Sequence, residues 1–248
     1  MKRLLLLPLL ALTLRATSQT KVVLTYDDAL DGHLDHVIPA LDSLGLKGTF
    51  YLTASSPAFI TRTAAWKAAA QRGHELGNHS LFHPCLGNRP GREWVTSEYD
   101  LNNYTVKRLT DELRFTNNLL TAIDGKTQRT YAYTCGDMLL HDTVFMDSMK
   151  NDFVAARGVE RELLFKPVRN LYNLGSYVGD NNSGPEMISW VKEAMKEKAT
   201  IIFLFHGVGG GHPINVTAQA HRELLQFLAA NKKDIDVLTF VEAAERLK

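Results

Sequence analysis

Excess charge of either sign is missing from this 248-residue chain: 28 Lys and Arg stand against 27 Asp and Glu, for a formal net charge of +1. The basic residues are scattered and build no concentrated positive face, which argues against nucleic acid as a partner and favours a neutral substrate. Beyond the N-terminal segment no apolar run approaches the roughly 20 residues that a helix needs to cross a bilayer. Internal repeats, low-complexity linkers and a Gly-x-Gly-x-x-Gly turn are also lacking, and the missing glycine turn argues against a dinucleotide-binding sheet. Cysteine is nearly absent. The two present, Cys85 and Cys135, lie beside the motifs discussed below, and the sequence alone leaves them open to a bridge or to two buried thiols.

What the chain does have is a composition, 45% hydrophobic and 22% charged, that suits a sizeable core in a single domain. Its first residues differ in kind. Lys2 and Arg3 precede the apolar run Leu4–Leu14, too short for a membrane span, and Ala16-Thr17-Ser18 supplies small residues for a peptidase. Residues 1–18 therefore read as a secretory signal and 19–248 as the mature domain, exported and without stable membrane insertion once the signal is removed.

Along the mature chain, strand and helix patterns alternate. Lys21–Tyr26 is a β-branched apolar run, Asp35–Leu44 has helical spacing stopped by Gly45, and Gly48–Thr53 is a second strand. That is a β-α-β unit, which predicts a parallel sheet with a right-handed crossover. Helices are expected at Thr63–Arg72, Thr105–Ile123, Leu139–Lys150, Pro185–Lys196 and Ala218–Asn231. Strands are expected near His74–Gly77 and at Thr130–Tyr133, Phe153–Ala156, Ile201–Phe205 and Asp236–Phe240. The alternation favours a parallel α/β barrel, whose reactive groups collect at the carboxyl ends of the strands.

Asp27 and Asp28 follow the first strand, His79 and His83 a later one, and His206 ends Ile201–Phe205. Each alone is a weak signal; their shared position at strand ends makes the set informative. In His79-Ser80-Leu81-Phe82-His83 the two imidazoles are four residues apart, which in a helical turn lets both reach one ion, and a carboxylate from another strand end completes three ligands. Three protein ligands leave positions open for water and substrate, the arrangement of a catalytic and not a structural site. Such ligands suit a divalent metal ion, Zn²⁺ by default, with Co²⁺, Ni²⁺ and Mn²⁺ also accepted.

At this point a resemblance becomes specific. Thr25-Tyr26-Asp27-Asp28, His79-Ser80-Leu81-Phe82-His83-Pro84 and Phe203-Leu204-Phe205-His206 are similar to the first, second and fifth motifs of the polysaccharide deacetylases, the NodB homology family also called carbohydrate esterase family 4. They lie in family order, with Gly45-Leu46-Lys47-Gly48-Thr49-Phe50 after the first helix. The resemblance implies a distorted parallel (β/α) barrel and a hydrolase that removes N- or O-linked acetyl groups from an acetylated carbohydrate. It implies Asp28, His79 and His83 as metal ligands, Asp27 as the base toward metal-activated water, and a protonated His206 as donor to the leaving group. By alignment the backbone N–H of Cys135 faces the oxyanion.

Two motifs depart from the family pattern. In Tyr131-Ala132-Tyr133-Thr134-Cys135-Gly136, Ala132 stands where the family often has an arginine; Arg157, at the end of a neighbouring strand, is the candidate substitute, against the bland reading of a surface arginine. The fourth motif, whose carboxylate supports the histidine, is not located, with Asp137 and Asp180 as candidates. Gly207-Val208-Gly209-Gly210-Gly211-His212 reads as a turn that uses positive φ, with His212 as a substrate contact. Tyr133 and Trp94 complete the substrate candidates, Trp94 and Tyr99 from a long segment that either stacks on sugar or pins the loop. Two other function classes remain: a carbohydrate-binding relative without turnover, and a hydrolase of non-peptide C–N bonds in small amides. The sequence assigns no oligomeric state.

Overall fold

The computed structural model describes residues 19–248; the signal read at 1–18 lies outside the described residues. The main sheet holds eight strands, all paired in parallel. In chain order these are β1 (Thr20–Asp27), β2 (Thr49–Leu52), β3 (Glu75–Asn78), β4 (Thr130–Ala132), β5 (Ala155–Arg157), β6 (Tyr177–Val178), β7 (Thr200–Phe205) and β8 (Ile235–Leu238). Their spatial order is β5-β4-β3-β2-β1-β7-β6, and β8 pairs with the first half of β1 while β2 pairs with its second half. The sheet curls into a half-barrel, the distorted α/β architecture expected from the alternation, and a parallel bridge between Arg157 and Leu174 lies at its open side.

The two faces of β1 follow from the period of two along a strand. Val22, Leu24 and Tyr26 join the outer core, together with Ile38 and Leu41 of α1 (Ile38–Ser43), Phe59 of α2 (Pro57–Thr61), Trp66 and Ala69 of α3 (Thr63–Gln71), Trp190 and Val191 of α5 (Gly184–Glu197) and Leu224 and Leu228 of α6 (Ala218–Ala230). Val23 turns the other way, into an inner cluster with Tyr51, Ala132, Ala155, Ile202 and Phe240. Full burial of each such side chain contributes roughly 1.5–3 kcal/mol, so a one-residue slip of β1 would exchange the two faces and is strongly disfavoured. The same alternation continues to the strand ends. Asp27 lies on the face of Val23, Arg157 on that of Ala155 and His206 on that of Ile202, so three polar groups point into the concave side. Gly77 on β3 lets the Tyr51 ring of β2 lie against its backbone, because a Cβ there would meet that ring at 2.4 Å.

Helix boundaries follow local chemistry. The long α4 (Val106–Asp124) starts where the Thr105 side chain accepts from Arg108 N–H and ends at Gly125 with φ 72°. Ser183 and Thr217 cap α5 and α6 in the same way. Two expected elements are corrected. Leu139–Lys150 is not a helix: Leu139–Leu140 and Thr143–Val144 form an antiparallel hairpin, followed by a 3-10 turn at Phe145–Ser148. Its buried Leu140, Phe145, Met146 and Met149 mimic helical spacing but fill a separate core under α4. The last strand stops at Leu238, because Thr239 and Glu242 form a capping box that begins α7 (Phe240–Leu247). Phe240 is therefore the first residue of a helix and no longer part of the strand.

Candidate metal centre and active site

Asp28 leaves β1 in the left-handed region, with φ 80°, followed by Ala29 at 56°; after β3, Ser80 has φ 64° and His83 φ 55°, and after β4, Cys135 has φ 54°. Such conformations cost non-glycine residues of order 1 kcal/mol or more and persist where the surroundings over-determine them. Here they turn each chain back over the mouth of the half-barrel.

His79–His83 is an irregular turn, which corrects the helical turn expected from its spacing. Its backbone is claimed by neighbours: His79 N–H donates to Leu52 O, while Ser80 O and Leu81 O accept from Ala54 and Ser55. The Asn78 side chain accepts from Ser80 N–H at 2.7 Å, and the Ser80 hydroxyl accepts from His83 N–H at 2.9 Å. Despite the different backbone, both imidazoles arrive at one carboxylate. His79 Nε2 stands 3.4 Å and His83 Nε2 3.3 Å from Asp28 Oδ1, and the ligand atoms of the three side chains all lie within 4.8 Å of one another.

These residues fit a divalent ion. Asp28 Oδ1 is buried without a hydrogen-bond partner in good geometry. His79 Nδ1 is 2.9 Å from Ala132 O, so its N–H is donated there and the Nε2 lone pair is left facing Asp28, as in the oriented histidines of metal sites. Burial pushes the Asp28 carboxyl up, but the neighbouring His79 and His83 rings outweigh it and hold the group well below the usual carboxylate range. Burial likewise lowers His79, and the charges of Asp27 and Asp28 more than reverse it, leaving this ring above its ordinary value.

Arg157 is fully buried and ion-pairs with Asp27 Oδ2 through Nη2. The second Asp27 oxygen is buried and without a partner. His206 presents its ring from the end of β7, its backbone carbonyl held by His33 Nε2 at 2.8 Å. Burial lowers its pKa to about 4 against the opposing pull of Asp27 and Asp28. Its Nδ1 has no partner; Asp137 instead takes Arg92 and Leu86 N–H, and the Asp180 carboxylate accepts from Asn181. His212 stacks on His206 with ring centroids 4.6 Å apart and brings Nε2 to 3.6 Å from Asp28 Oδ2. The glycines before it do adopt positive φ, 76° at Gly209, 120° at Gly210 and 84° at Gly211.

Asp27, Asp28, His79, His83, His206 and His212 all border one cavity of about 870 Å³, within the range of small-ligand sites. Trp94 stands at its rim, 58% exposed, with its ring 6.1 Å from that of His83. Tyr133 also borders it, although its side chain is buried and its hydroxyl donates to Tyr172 O. Cys135 is bonded to Cys85, with Cα atoms 5.8 Å apart. Two contributors had no sequence signal. His33 lies in a π-helical turn, His33–Val37, and precedes the helix expected at Asp35–Leu44, and Arg92 is one of many basic residues in an irregular segment, yet its side chain is mostly buried against Asp137.

A family model described as polysaccharide deacetylase matches residues 15–151, more than half of the chain. The peptidoglycan-N-acetylmuramic acid deacetylase PdaA of Bacillus subtilis is 28% identical over 120 residues, which cover 46% of this chain and only 38% of that protein. Among solved structures, the Xyl-CE4 domain of a multidomain xylanase from the hindgut metagenome of Trinervitermes trinervoides superposes with a TM-score of 0.59 at 15% identity, covering 92% of this chain and 91% of its own. A Mycobacterium smegmatis chain described as a polysaccharide deacetylase gives a TM-score of 0.67 at 13% identity, covering 93% and 91%. At such identities the superpositions speak for the shared fold.

Proposed function

The chain belongs to the polysaccharide deacetylase family, and from that premise we propose that it hydrolyses N- or O-linked acetyl groups on an extracellular glycan at the cavity bounded by Asp28, His79 and His83. The observation that carries the reading is the convergence of these three ligand atoms beside an Asp27 carboxylate that is itself clamped by Arg157. The relative PdaA acts on peptidoglycan, by its name; an acetylated cell-wall or plant polysaccharide is the substrate class proposed here.

In this scheme Asp28, His79 and His83 hold a divalent ion, Zn²⁺ by default, which supplies Lewis acidity toward a carbonyl oxygen and lowers the pKa of water from about 15.7 toward about 7. Asp27, which lines the cavity with one oxygen paired to Arg157 and the other without a partner, is the base. His206, which borders the same cavity, is the acid that donates a proton to the departing nitrogen or oxygen. The backbone N–H of Cys135 is the donor to the developing oxyanion, a role of the kind worth roughly 10²–10³ in kcat. Trp94 and His212 contact the sugar at the rim, and Tyr133, with its own hydroxyl engaged, serves through its backbone and ring edge.

Export is part of the same reading. The Cys85–Cys135 bridge suits an oxidising compartment, and no helix among the described residues is long and apolar enough to cross a membrane. The direct test is acetate release from acetylated xylan, chitooligosaccharide and peptidoglycan fragments, abolished by a chelator and restored by Zn²⁺ or Co²⁺. No release from any of them by the metal-loaded protein would overturn the assignment.

A further inference from the structure

The turn that carries His83 and the loop that carries Cys135 are tied together three times. The Cys85–Cys135 disulfide is the covalent tie, two residues beyond His83. The Thr134 hydroxyl donates to Pro84 O at 2.5 Å. The third tie is a clasp around Arg92: Nη2 donates to Cys135 O at 2.8 Å, Nη1 to Asp137 Oδ2 at 2.6 Å and to Leu86 O at 3.1 Å, and the same Asp137 oxygen accepts from Leu86 N–H at 2.8 Å. Arg92 and Asp137 are 17% and 4% exposed, so this pair is largely shielded from water, and removing either partner leaves the other charge poorly compensated.

Between these ties sits Cys135, a non-glycine residue held at φ 54°, ψ 10°, next to Gly136 at φ 73°. A free loop would relax from the left-handed region at a gain of about 1–2 kcal/mol. Relaxation would swing the Cys135 peptide relative to the ligand turn, and a misplacement of about 1 Å in a reacting group costs on the order of 10²-fold in rate.

We propose that Cys85, Arg92 and Asp137 are positioning residues for the reaction, locking the Cys135 N–H in register with the His83 side of the cavity. The proposal rests on the deacetylase reading above. It adds that activity depends on an intact bridge although neither sulfur takes part in chemistry, and that a thiol or phosphine reductant, by converting the disulfide to two thiols as it is itself oxidised, slows the enzyme.

The experiment compares the metal-loaded, oxidised protein with the Cys85→Ser/Cys135→Ser, Arg92→Met and Arg92→Lys variants. In the double serine variant and in Arg92→Met we expect kcat to fall on the order of 10- to 100-fold, KM to stay within about 2-fold and metal content to be unchanged. Arg92→Lys recovers part of the loss, because its ammonium keeps the charge on Asp137 but lacks the fork that also reaches Cys135 O. Amide hydrogen exchange of residues 134–137 is the readout that needs no activity: it should accelerate in both variants. Unchanged kcat in a folded double serine variant overturns the proposal. So does unchanged exchange at 134–137, a loss of rate that merely follows a loss of metal, or global unfolding on removing the bridge. If the oxidised protein releases no acetate at all, the deacetylase reading fails, while the exchange measurement still decides whether the ties hold the Cys135 loop.

Discussion

Arg157 and Asp27, 130 residues apart in sequence, form an ion pair inside the half-barrel. Arg157 also donates to Gly158 O at 3.2 Å and lies 5.3 Å from the centre of the Tyr51 ring. Removing one partner of a buried pair leaves the other charged and unpaired, at a cost of roughly 3–5 kcal/mol. Arg157→Met should therefore lower stability to unfolding by that order and reduce kcat by about 10- to 100-fold with the base no longer oriented. The double variant with Asp27→Asn should be more stable than the single one. Denaturant melts and steady-state rates on both check this; a single variant as stable and as fast as the parent removes Arg157 from the account.

Metal uptake should depend on pH in a defined direction. In the metal-free protein the carboxylates of Asp27 and Asp28 hold His79 above its ordinary value despite burial, so the protonated ring contributes stability below the unfolded pKa of about 6.5, lost as pH rises through the folded value. An ion requires the neutral ring. Affinity for Zn²⁺ should thus fall as pH drops toward and below about 6.5, and uptake should release protons, measurable by calorimetry in buffers of different ionisation enthalpy. Affinity that rises on acidification would contradict the ligand assignment.

Glu75 offers a test of the fold apart from the site. It is buried on β3, accepting from Thr49 and Thr130 hydroxyls at 2.9 and 2.5 Å and from Val241 N–H at 2.8 Å, so it links β2 and β4 to the start of α7. Burial raises its pKa, only partly offset by these donors. A carboxyl with a raised folded pKa contributes stability below its unfolded value, about 4.3, and loses it as pH rises through the folded value. Glu75→Gln should therefore gain stability relative to the parent as pH rises from about 4 to neutrality, whereas Glu75→Ala, which strands three donors, should lose about 2–4 kcal/mol. A Gln variant whose relative stability declines over that range would refute the argument.

Trp94 separates recognition from chemistry. Exposed at the rim beside His83, it should contribute to binding of a chain of sugars and little to bond cleavage. Trp94→Ala should raise KM for an acetylated oligosaccharide by about 5- to 10-fold, the equivalent of a ring contact worth roughly 1 kcal/mol, while leaving kcat on a small acetyl ester within about 2-fold. Equal effects on both substrates would place Trp94 in loop packing alone.

The β-α-β rhythm and the strand-end position of Asp27, Asp28, His79, His83 and His206 were legible because periodicity and chain order carry them. The hairpin at Leu139–Val144 was not, since apolar residues filling a side core can fall at helical spacing by accident. Nor was the start of α7, where the apolar Phe240 extends a strand pattern that the Thr239 cap interrupts. The disulfide required a Cα separation, a quantity that is not local in sequence. Arg92 and His33 were invisible for the same reason, as their roles arise from partners far along the chain.

The most direct test of the central claim is a titration of chelator-stripped protein with Zn²⁺, followed by calorimetry and by acetate release on the same samples. One equivalent should bind, activity should return in proportion, and Asp28→Ala and His83→Ala should lose both together. Activity that survives stripping, or ion binding undisturbed in those variants, would contradict the account.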